Sequence, residues 1–316
     1  MKRFFFLLVI ALVTSGLLFY WPTVESLIAR TTPNQTTSLL FVGDIMLSRH
    51  IGELSEVHGP DFPFVLIATT TKAADITFAN LENPVSSRGK NVGSIYSFRA
   101  SPRVLSGLKQ AGFDVVSLAN NHIWDYSEEA FLDTLTHLSE HKINFIGVGK
   151  NYDEAHQPVI ISKNGVRVAY FAYTDLTLPF LIKPNSAPAV AFPDLAVIKR
   201  SIGEIISEKR ADIIVISFHW GNEYETVPEE NQTSFAHSII DAGAHIVVGH
   251  HPHVVQPIER YKNGVIAYSL GNFIFDQNFS PDTGRGLMLK IEVNREGIVS
   301  VEELSIRFNE QFQPFL

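Results

Sequence analysis

AHIVVGHHPHVVQ, residues 244–256, sets His250, His251 and His253 directly after a short β-branched run. A run such as IVVG, too short for a helix, reads as a buried strand. Polar residues at the carboxyl end of a strand occupy the place where open α/β sheets form their binding crevice. Pro252 fixes one φ between His251 and His253, so two imidazoles leave a stiff connection as a pair suited to a metal ion.

The same arrangement recurs along the chain. Strands read at 39–44, 75–82, 113–122, 143–149, 166–174, 212–221, 245–251 and 265–273. Helices fit 101–112, 127–142, 194–210 and 231–243, where apolar residues recur at three and four and several starts carry Ser, Asp or Asn. The chain is therefore α/β. KNG at 163–165 and again at 262–264 lies between strand-like runs, a hairpin signal that adds antiparallel pairing. No fixed-period repeat and no second domain boundary is legible, so one domain is expected over residues 38–316.

Six strand ends carry chemistry: Asp44, Glu82, the Asn120-Asn121-His122 triplet, His219, the histidine cluster, and Asn272. Each alone has a plainer reading, since Asp44 can cap a turn and a lone histidine is more often structural than a ligand. Together they supply carboxylates from Asp44 and Glu82, an amide oxygen from Asn121, and imidazoles from His219, His251 and His253. That mixture suits one or two divalent transition ions such as Mn, Zn or Fe. A pair of such ions acidifies a bridging water and polarises an ester or phosphoryl oxygen. His122, outside the ligand set, is expected to serve the leaving group as acid, with Asp125 orienting it. His250 is expected either to support a ligand from behind or to face the substrate, and Asn272 to face the substrate. Arg49, Arg99 and Arg103 come from the strand-end loops or just beyond, and they are expected to form a cationic rim.

Composition narrows the classes. The 316 residues include no cysteine, which excludes disulfides, thiolate metal sites and a cysteine nucleophile. A net charge of -8 argues against a nucleic-acid partner. Lys2 and Arg3 precede an uncharged run from Phe4 to Trp21, long enough to cross a bilayer as a helix with its amino end inside. Residues 1–30 are accordingly expected to be a single-pass signal anchor and 31–37 a linker. The domain would then lie on the outer side of the cell membrane.

The ordered motifs VGDIMLSR, NLENPVS, FRASP, AGFDVVSLANNHIWDY, SFHWGNEYE, DAGAHIVVGHHPHVVQPIE and YSLGNFIFD carry a further reading. Their combination closely resembles the CapA family, linked to capsular poly-γ-glutamate synthesis, within the calcineurin-like metallophosphoesterase superfamily. The resemblance implies a four-layer α-β-β-α sandwich with a dinuclear site at the strand ends. It aligns Asp44, Glu82, Asn121 with His122, His219, and His251 with His253 to the superfamily's motifs. One departure stands out: the first motif is Asp-x-His there and DIM here, so Met46 occupies a ligand position. The metal position of Asp44, Glu82 and His253 is therefore expected to be poorer in protein ligands than that of Glu82, Asn121, His219 and His251. The implied function is an extracytoplasmic, membrane-anchored, metal-dependent hydrolase of an anionic cell-envelope polymer, poly-γ-glutamate, working beside membrane-bound synthase subunits. The alternative is a non-catalytic component that uses its metal centre to bind or guide that polyanion.

Overall fold

Long apolar stretches without polar alternation require strands covered on both faces, and the computed structural model supplies that cover. It describes residues 35–176 and 184–316. The expected anchor and the linker as far as residue 34 lie outside the described residues. Thr37, expected to end the linker, is instead the first residue of a strand and pairs with Val293. Among the described residues, no helix is long and apolar enough to cross a membrane.

Sheet one begins with β1 (Thr37–Ile45), β2 (Ile76–Leu81), β3 (Val115–Ser117) and β4 (Asn144–Ile146), each parallel to the next. The strand expected over 143–149 breaks at Gly147, whose φ of 81° turns the chain into β5 (Val148–Gly149). Sheet two opens with the hairpin of β6 (Val159–Lys163) and β7 (Val166–Thr174), joined by Asn164 and Gly165 at φ 49° and 78°. Two positive φ values are what a two-residue hairpin turn demands, as KNG foretold. After β8 (Ala189–Val190), which pairs with β5, sheet two continues through β9 (Ile213–His219) and β10 (Ile246–His250). The second KNG hairpin, β11 (Ile258–Tyr261) with β12 (Gly264–Ala267), closes it in the order β11-β12-β10-β9-β7-β6.

The chain then changes sheets. The strand expected over 265–273 divides, and after Gly271 at φ 67° the chain enters β13 (Asn272–Ile274), a parallel neighbour of β1. Antiparallel strands β14 (Arg285–Asn294), β15 (Gly297–Phe308) and β16 (Pro314–Phe315) complete the order β16-β15-β14-β1-β2-β3-β4. The sequence reading expected a terminal antiparallel element but placed no strand beyond residue 273, and it missed the first, second and fifth of the seven α-helices among the described residues. Those are α1 (Arg49–His58), α2 (Ala68–Ala73), α3 (Val104–Gln110), α4 (Ser127–Glu140), α5 (Tyr152–Ala155), α6 (Leu195–Ser207) and α7 (Glu230–Asp241).

Packing follows from which face each apolar residue takes. Leu39, Phe41 and Phe78 of sheet one share a cluster with Tyr170, Val215 and Val248 of sheet two, so the sheets meet face to face. Leu108 of α3 and Phe131 of α4 extend that cluster over sheet one. On sheet two, Ile214, Ile216 and Val247 turn the other way, against Ile198 and Ile202 of α6 and Ile239 of α7. Two sheets with helices on both outer sides make a mixed α/β sandwich. α6 starts where the Asp194 carboxylate accepts from the Ala196 and Val197 N–H groups, and α7 where Glu229 and Gln232 form a reciprocal cap.

Gly43 shows how closely the chain approaches itself beside β13. A Cβ there would lie 1.9 Å from the Gly271 carbonyl oxygen, whereas one at Gly203 of α6 would meet nothing within 4 Å. Gly43→Ala is expected to destabilise the fold by about 1–3 kcal/mol through overpacking. Gly203→Ala is expected to stabilise it by about 0.5–1 kcal/mol through helix propensity. Urea unfolding of the two variants checks the pair, and equal effects would refute the packing argument.

Candidate metal centre

Strand register assembles the site. β1 sets Asp44 beside Asn80 of β2 and beside Asn272 of β13, while β9 and β10 set His219 beside His250. Asp44, Asn80, His219 and His250 lie at or near carboxyl ends of parallel strands, Asn272 opens β13, and the β1 ladder is irregular at Asp44, as sheets are where they re-aim a side chain. Asn80, which the sequence reading overlooked, is the hub. Its Nδ2 donates to Asp44 Oδ1 at 2.8 Å and lies 3.2 Å from both Glu82 Oε2 and His219 Nδ1. Its Oδ1 accepts from Asn120 Nδ2 at 3.1 Å. The available signal was its place two residues before Glu82, on the same face of one strand.

The two carboxylates experience opposite fields. Burial pushes the Asp44 carboxyl up, but His250, His253 and Asn80 together outweigh it and hold the carboxyl below its ordinary value. His250 Nδ1 is 3.2 Å from Asp44 Oδ1, His253 Nδ1 is 3.5 Å from Oδ2, and the His251 N–H donates to Oδ2 at 3.2 Å. Glu82 is held well above the usual carboxylate range, first by burial and then by the charges of Asp44, Glu223 and Asp125. Its Oε1 sits 3.4 Å from His253 Nε2.

Burial keeps the imidazoles neutral, the form that binds metal. It holds His219 well below its ordinary value and pushes His251 down to about 3, with neighbouring histidines adding to both shifts. His253 is also lowered by burial, against the opposing pull of Asp44. Its Nδ1 meets Asn272 Oδ1 at 3.0 Å, which leaves Nε2 for a ligand bond. His251 and His253 have φ of 97° and 56°, left-handed values that non-glycine residues adopt at a cost and that gather at functional sites.

A divalent ion fits these residues. Ligand atoms of Asp44, Glu82 and His253 lie within 4.8 Å of one another, and so do those of Glu223, His251 and His253. Glu82 Oε1 and His251 Nδ1 are buried without a hydrogen-bond partner among the described residues, a cost that a bound cation would remove. The expected second ligand set is gathered in hydrogen-bonded form, with His219 Nε2 donating to Asn121 Oδ1 at 2.9 Å while Nδ1 faces the Asn80 amide. The set expected to be the poorer, Asp44 with Glu82 and His253, is thus the one whose atoms already converge. Met46 takes no part: its sulfur accepts from Ser48 N and Oγ at 3.2 and 3.0 Å.

The remaining expected residues divide. His122 Nδ1 meets Asp125 Oδ2 at 2.7 Å, and its Nε2 is 3.8 Å from Glu82 Oε1. Arg49, His122 and His253 line a cavity of about 200 Å³ together with Tyr96, Glu223 and Tyr224. Arg49 lies at its mouth, paired with Asp276 at 3.0 Å. His250 and Asn272 are fully buried, so neither meets substrate; one lies against Asp44 and the other holds His253. Arg99 stacks over Tyr126 at 4.2 Å and donates to the Arg88 and Gly89 carbonyls, and Arg103 pairs with Glu56 at 2.7 Å. Neither joins the cavity, so the expected cationic rim reduces to Arg49.

Replacing Asn80 with leucine keeps its branched heavy-atom skeleton but removes donors from Asp44, Glu82 and His219 at once. Asn80→Leu is expected to cost about 1–3 kcal/mol of stability and to weaken metal binding about 10- to 100-fold. Urea unfolding and calorimetric titration with Mn²⁺ measure both effects, and unchanged metal affinity would remove Asn80 from its central place.

Known proteins match this chain at both levels. A family model described as bacterial capsule synthesis protein PGA_cap matches residues 38–277. The capsule biosynthesis protein CapA of Bacillus anthracis is 34% identical over 281 residues, which are 87% of this chain and 68% of that one. The PGA biosynthesis protein CapA of Bacillus subtilis is 35% identical over 254 residues, 79% of this chain and 66% of that one. Among solved structures, a phosphatase of Mycoplasma pneumoniae superposes with a TM-score of 0.57 at 13% identity, covering 87% of this chain and 95% of that one. The calcineurin-like phosphoesterase YfkN of Bacillus subtilis reaches 0.50 at 14% identity over 86% and 91%. At such identities the structural likeness establishes the fold alone: a metallophosphoesterase-like sandwich. With the family model matched over most of its length and the CapA proteins above 30% identity, the chain belongs to the PGA_cap family of bacterial capsule synthesis proteins.

Proposed function

We propose that the protein is a metal-dependent hydrolase acting on an ester, phosphoester or amide bond of an anionic cell-envelope polymer during poly-γ-glutamate capsule synthesis. One observation carries the reading. The imidazole of His122 is fixed by Asp125 at 2.7 Å and aims Nε2 into the cavity, 3.8 Å from the unpartnered Oε1 of Glu82. A purely structural histidine would have its second nitrogen satisfied. Asp44, Glu82, Asn121, His219, His251 and His253 are the residues that would hold one or two divalent ions, Mn, Zn or Fe. Such ions acidify a water and polarise the bond to be cleaved.

The chain's own groups do the rest. Asp125 takes the proton of His122 Nδ1 as a hydrogen bond, which fixes the tautomer and the ring plane. Phe98 packs its ring 4.2 Å from that imidazole, and its N–H donates to Asp125 Oδ2 at 2.8 Å, so the pair is supported on both sides. Once Nε2 has taken up a proton from solvent, the imidazolium, its charge balanced by Asp125, is placed to pass that proton to a leaving oxygen or nitrogen. Arg49 at the mouth supplies a cation for an anionic substrate. The alternative, a polyanion guide without catalysis, depends on a cationic rim, and Arg99 and Arg103 lie elsewhere while Glu223 and Asp276 line the cavity. Hydrolysis is therefore the favoured reading.

Two experiments test it. The full chain should bind a divalent ion and hydrolyse a generic phosphodiester or poly-γ-glutamate. Asn121→Ala and His251→Ala should lose metal, while His122→Ala should keep it and lose turnover by about 10²–10⁴-fold. Full metal loading with no turnover on either substrate would move the protein to the non-catalytic reading. For location, the uncharged run from Phe4 to Trp21 behind Lys2 and Arg3 supports a membrane anchor with the domain outside, near the synthase subunits. In fractionated cells the protein should follow the membrane and be open to external protease. Recovery in the soluble fraction would overturn that placement.

A further inference from the structure

Met46 is fully buried and turned toward Ser48, which leaves the metal position of Asp44, Glu82 and His253 with three protein ligands. We propose that Glu223 answers this shortage from the other side of His253: its carboxylate, carried on the loop after β9, is a metal ligand together with His251 and His253. The assignment rests on the metal-centre reading above and goes beyond it, because the motif SFHWGNEYE, which contains Glu223, suggested His219 alone as a ligand.

Geometry comes first. Glu223 offers an oxygen that, with ring nitrogens of His251 and His253, falls within the same 4.8 Å limit as the Asp44, Glu82 and His253 group. The two groups share His253 and otherwise differ, so Glu223 adds a carboxylate to the His251 and His253 side of the centre. Its loop is built to stay there. The Trp220 N–H donates to the His250 carbonyl at 3.1 Å and the Tyr224 N–H to the Pro252 carbonyl at 2.8 Å. Gln256 Nε2 donates to the Glu225 carbonyl at 2.8 Å. Residues on both sides of Glu223 are thus tied to the very segment that carries His251 and His253. Gly221 and Tyr224 bracket the glutamate with φ of 80° and 67°, backbone values that an ordinary surface loop has no need to hold at a non-glycine residue.

Charge points the same way. Glu223 lines the cavity beside His253, whose Nδ1 lies 3.5 Å from Asp44 Oδ2 and whose Nε2 lies 3.4 Å from Glu82 Oε1, so it brings a third carboxylate to that neighbourhood. Like charges converge on a low-dielectric pocket at a cost unless a cation lies among them. The unpartnered, buried Glu82 Oε1 and His251 Nδ1 mark where that cation would sit. His250 is a neighbour able to replace position 46, but it lies against Asp44 Oδ1, the oxygen already bonded to Asn80, and not on the Oδ2 side that faces His253. A hard or borderline ion accepts carboxylate oxygen readily, so Glu223 suits an ion held by His251 and His253.

The test uses the full chain with Mn²⁺, followed by calorimetry and by electron paramagnetic resonance. Glu223→Gln should weaken at least one Mn²⁺ about tenfold or more. Glu223→His, which keeps a ligand atom, should retain that ion within a few-fold of the unmodified chain. Thermal unfolding without metal should be unchanged in both variants, because the side chain is exposed. Mn²⁺ binding by Glu223→Gln equal to that of the unmodified chain would overturn the assignment while leaving the metal centre standing. Equal weakening in both variants would also overturn it, by reducing Glu223 to a remote charge. Absence of any Mn²⁺ binding by the unmodified chain would sink the metal-centre reading itself, and this assignment with it.

Discussion

One amide group joins the two halves of the sandwich where the chemistry lies. Asn80 reaches from β2 to Asp44 and Glu82 in its own sheet and to His219 across the interface. An amide nitrogen has two hydrogens, and three acceptors compete for them. Each acceptor is therefore held close but incompletely satisfied, the condition under which buried carboxylates and imidazoles still have lone pairs to offer. Apolar contact brings the sheets together over most of their area, yet apolar contact has no direction. The relative placement of Asp44, Glu82 and His219 needs a directional bond, and Asn80 provides it.

The electrostatics of the centre follow from that geometry. Burial makes ionised groups expensive, so His219, His251 and His253 are pushed toward the neutral form and the two carboxylates divide into one stabilised by imidazoles and one held protonation-prone. Asp44 has His250 and His253 beside it, whereas Glu82 faces other acids. The proposed hydrolytic role uses this contrast, with His122 and Asp125 kept a step apart from the ligand set. The family membership is secure from the matched residues, and the reaction remains the proposal that these side chains support best.

Much of this was legible from residue order because it depends on local rules. Strand ends such as VGD, FHW and VGHH announce themselves by an apolar run followed by a polar residue, and KNG fixes two hairpins through backbone conformation alone. The His122 and Asp125 pair, three residues apart, could be read as partners. What escaped depends on long-range placement. Asn80 looks like any polar residue in a strand until β1 and β9 flank it, and Glu223 gains meaning only because residues 220–225 bond to the segment carrying His251 and His253. Asn272 was read as facing substrate, and His250 as facing it or supporting a ligand, since a sequence cannot reveal that one strand-end residue turns inward while its neighbour does not. Arg99 and Arg103 failed for a related reason: each found a nearer partner in Tyr126 or Glu56.

The left-handed backbone at His251 and His253 bears on how this domain can be re-engineered. Glycine or asparagine adopts such φ values with far less strain than histidine, and strain of this kind costs about 1–3 kcal/mol per residue. A search for variants that resist heat, blind to chemistry, would therefore reach these two positions early and replace both imidazoles. The gain in robustness and the loss of the centre would arrive in the same substitution, so thermal resistance is an unsafe selection criterion for this protein unless both positions are fixed beforehand.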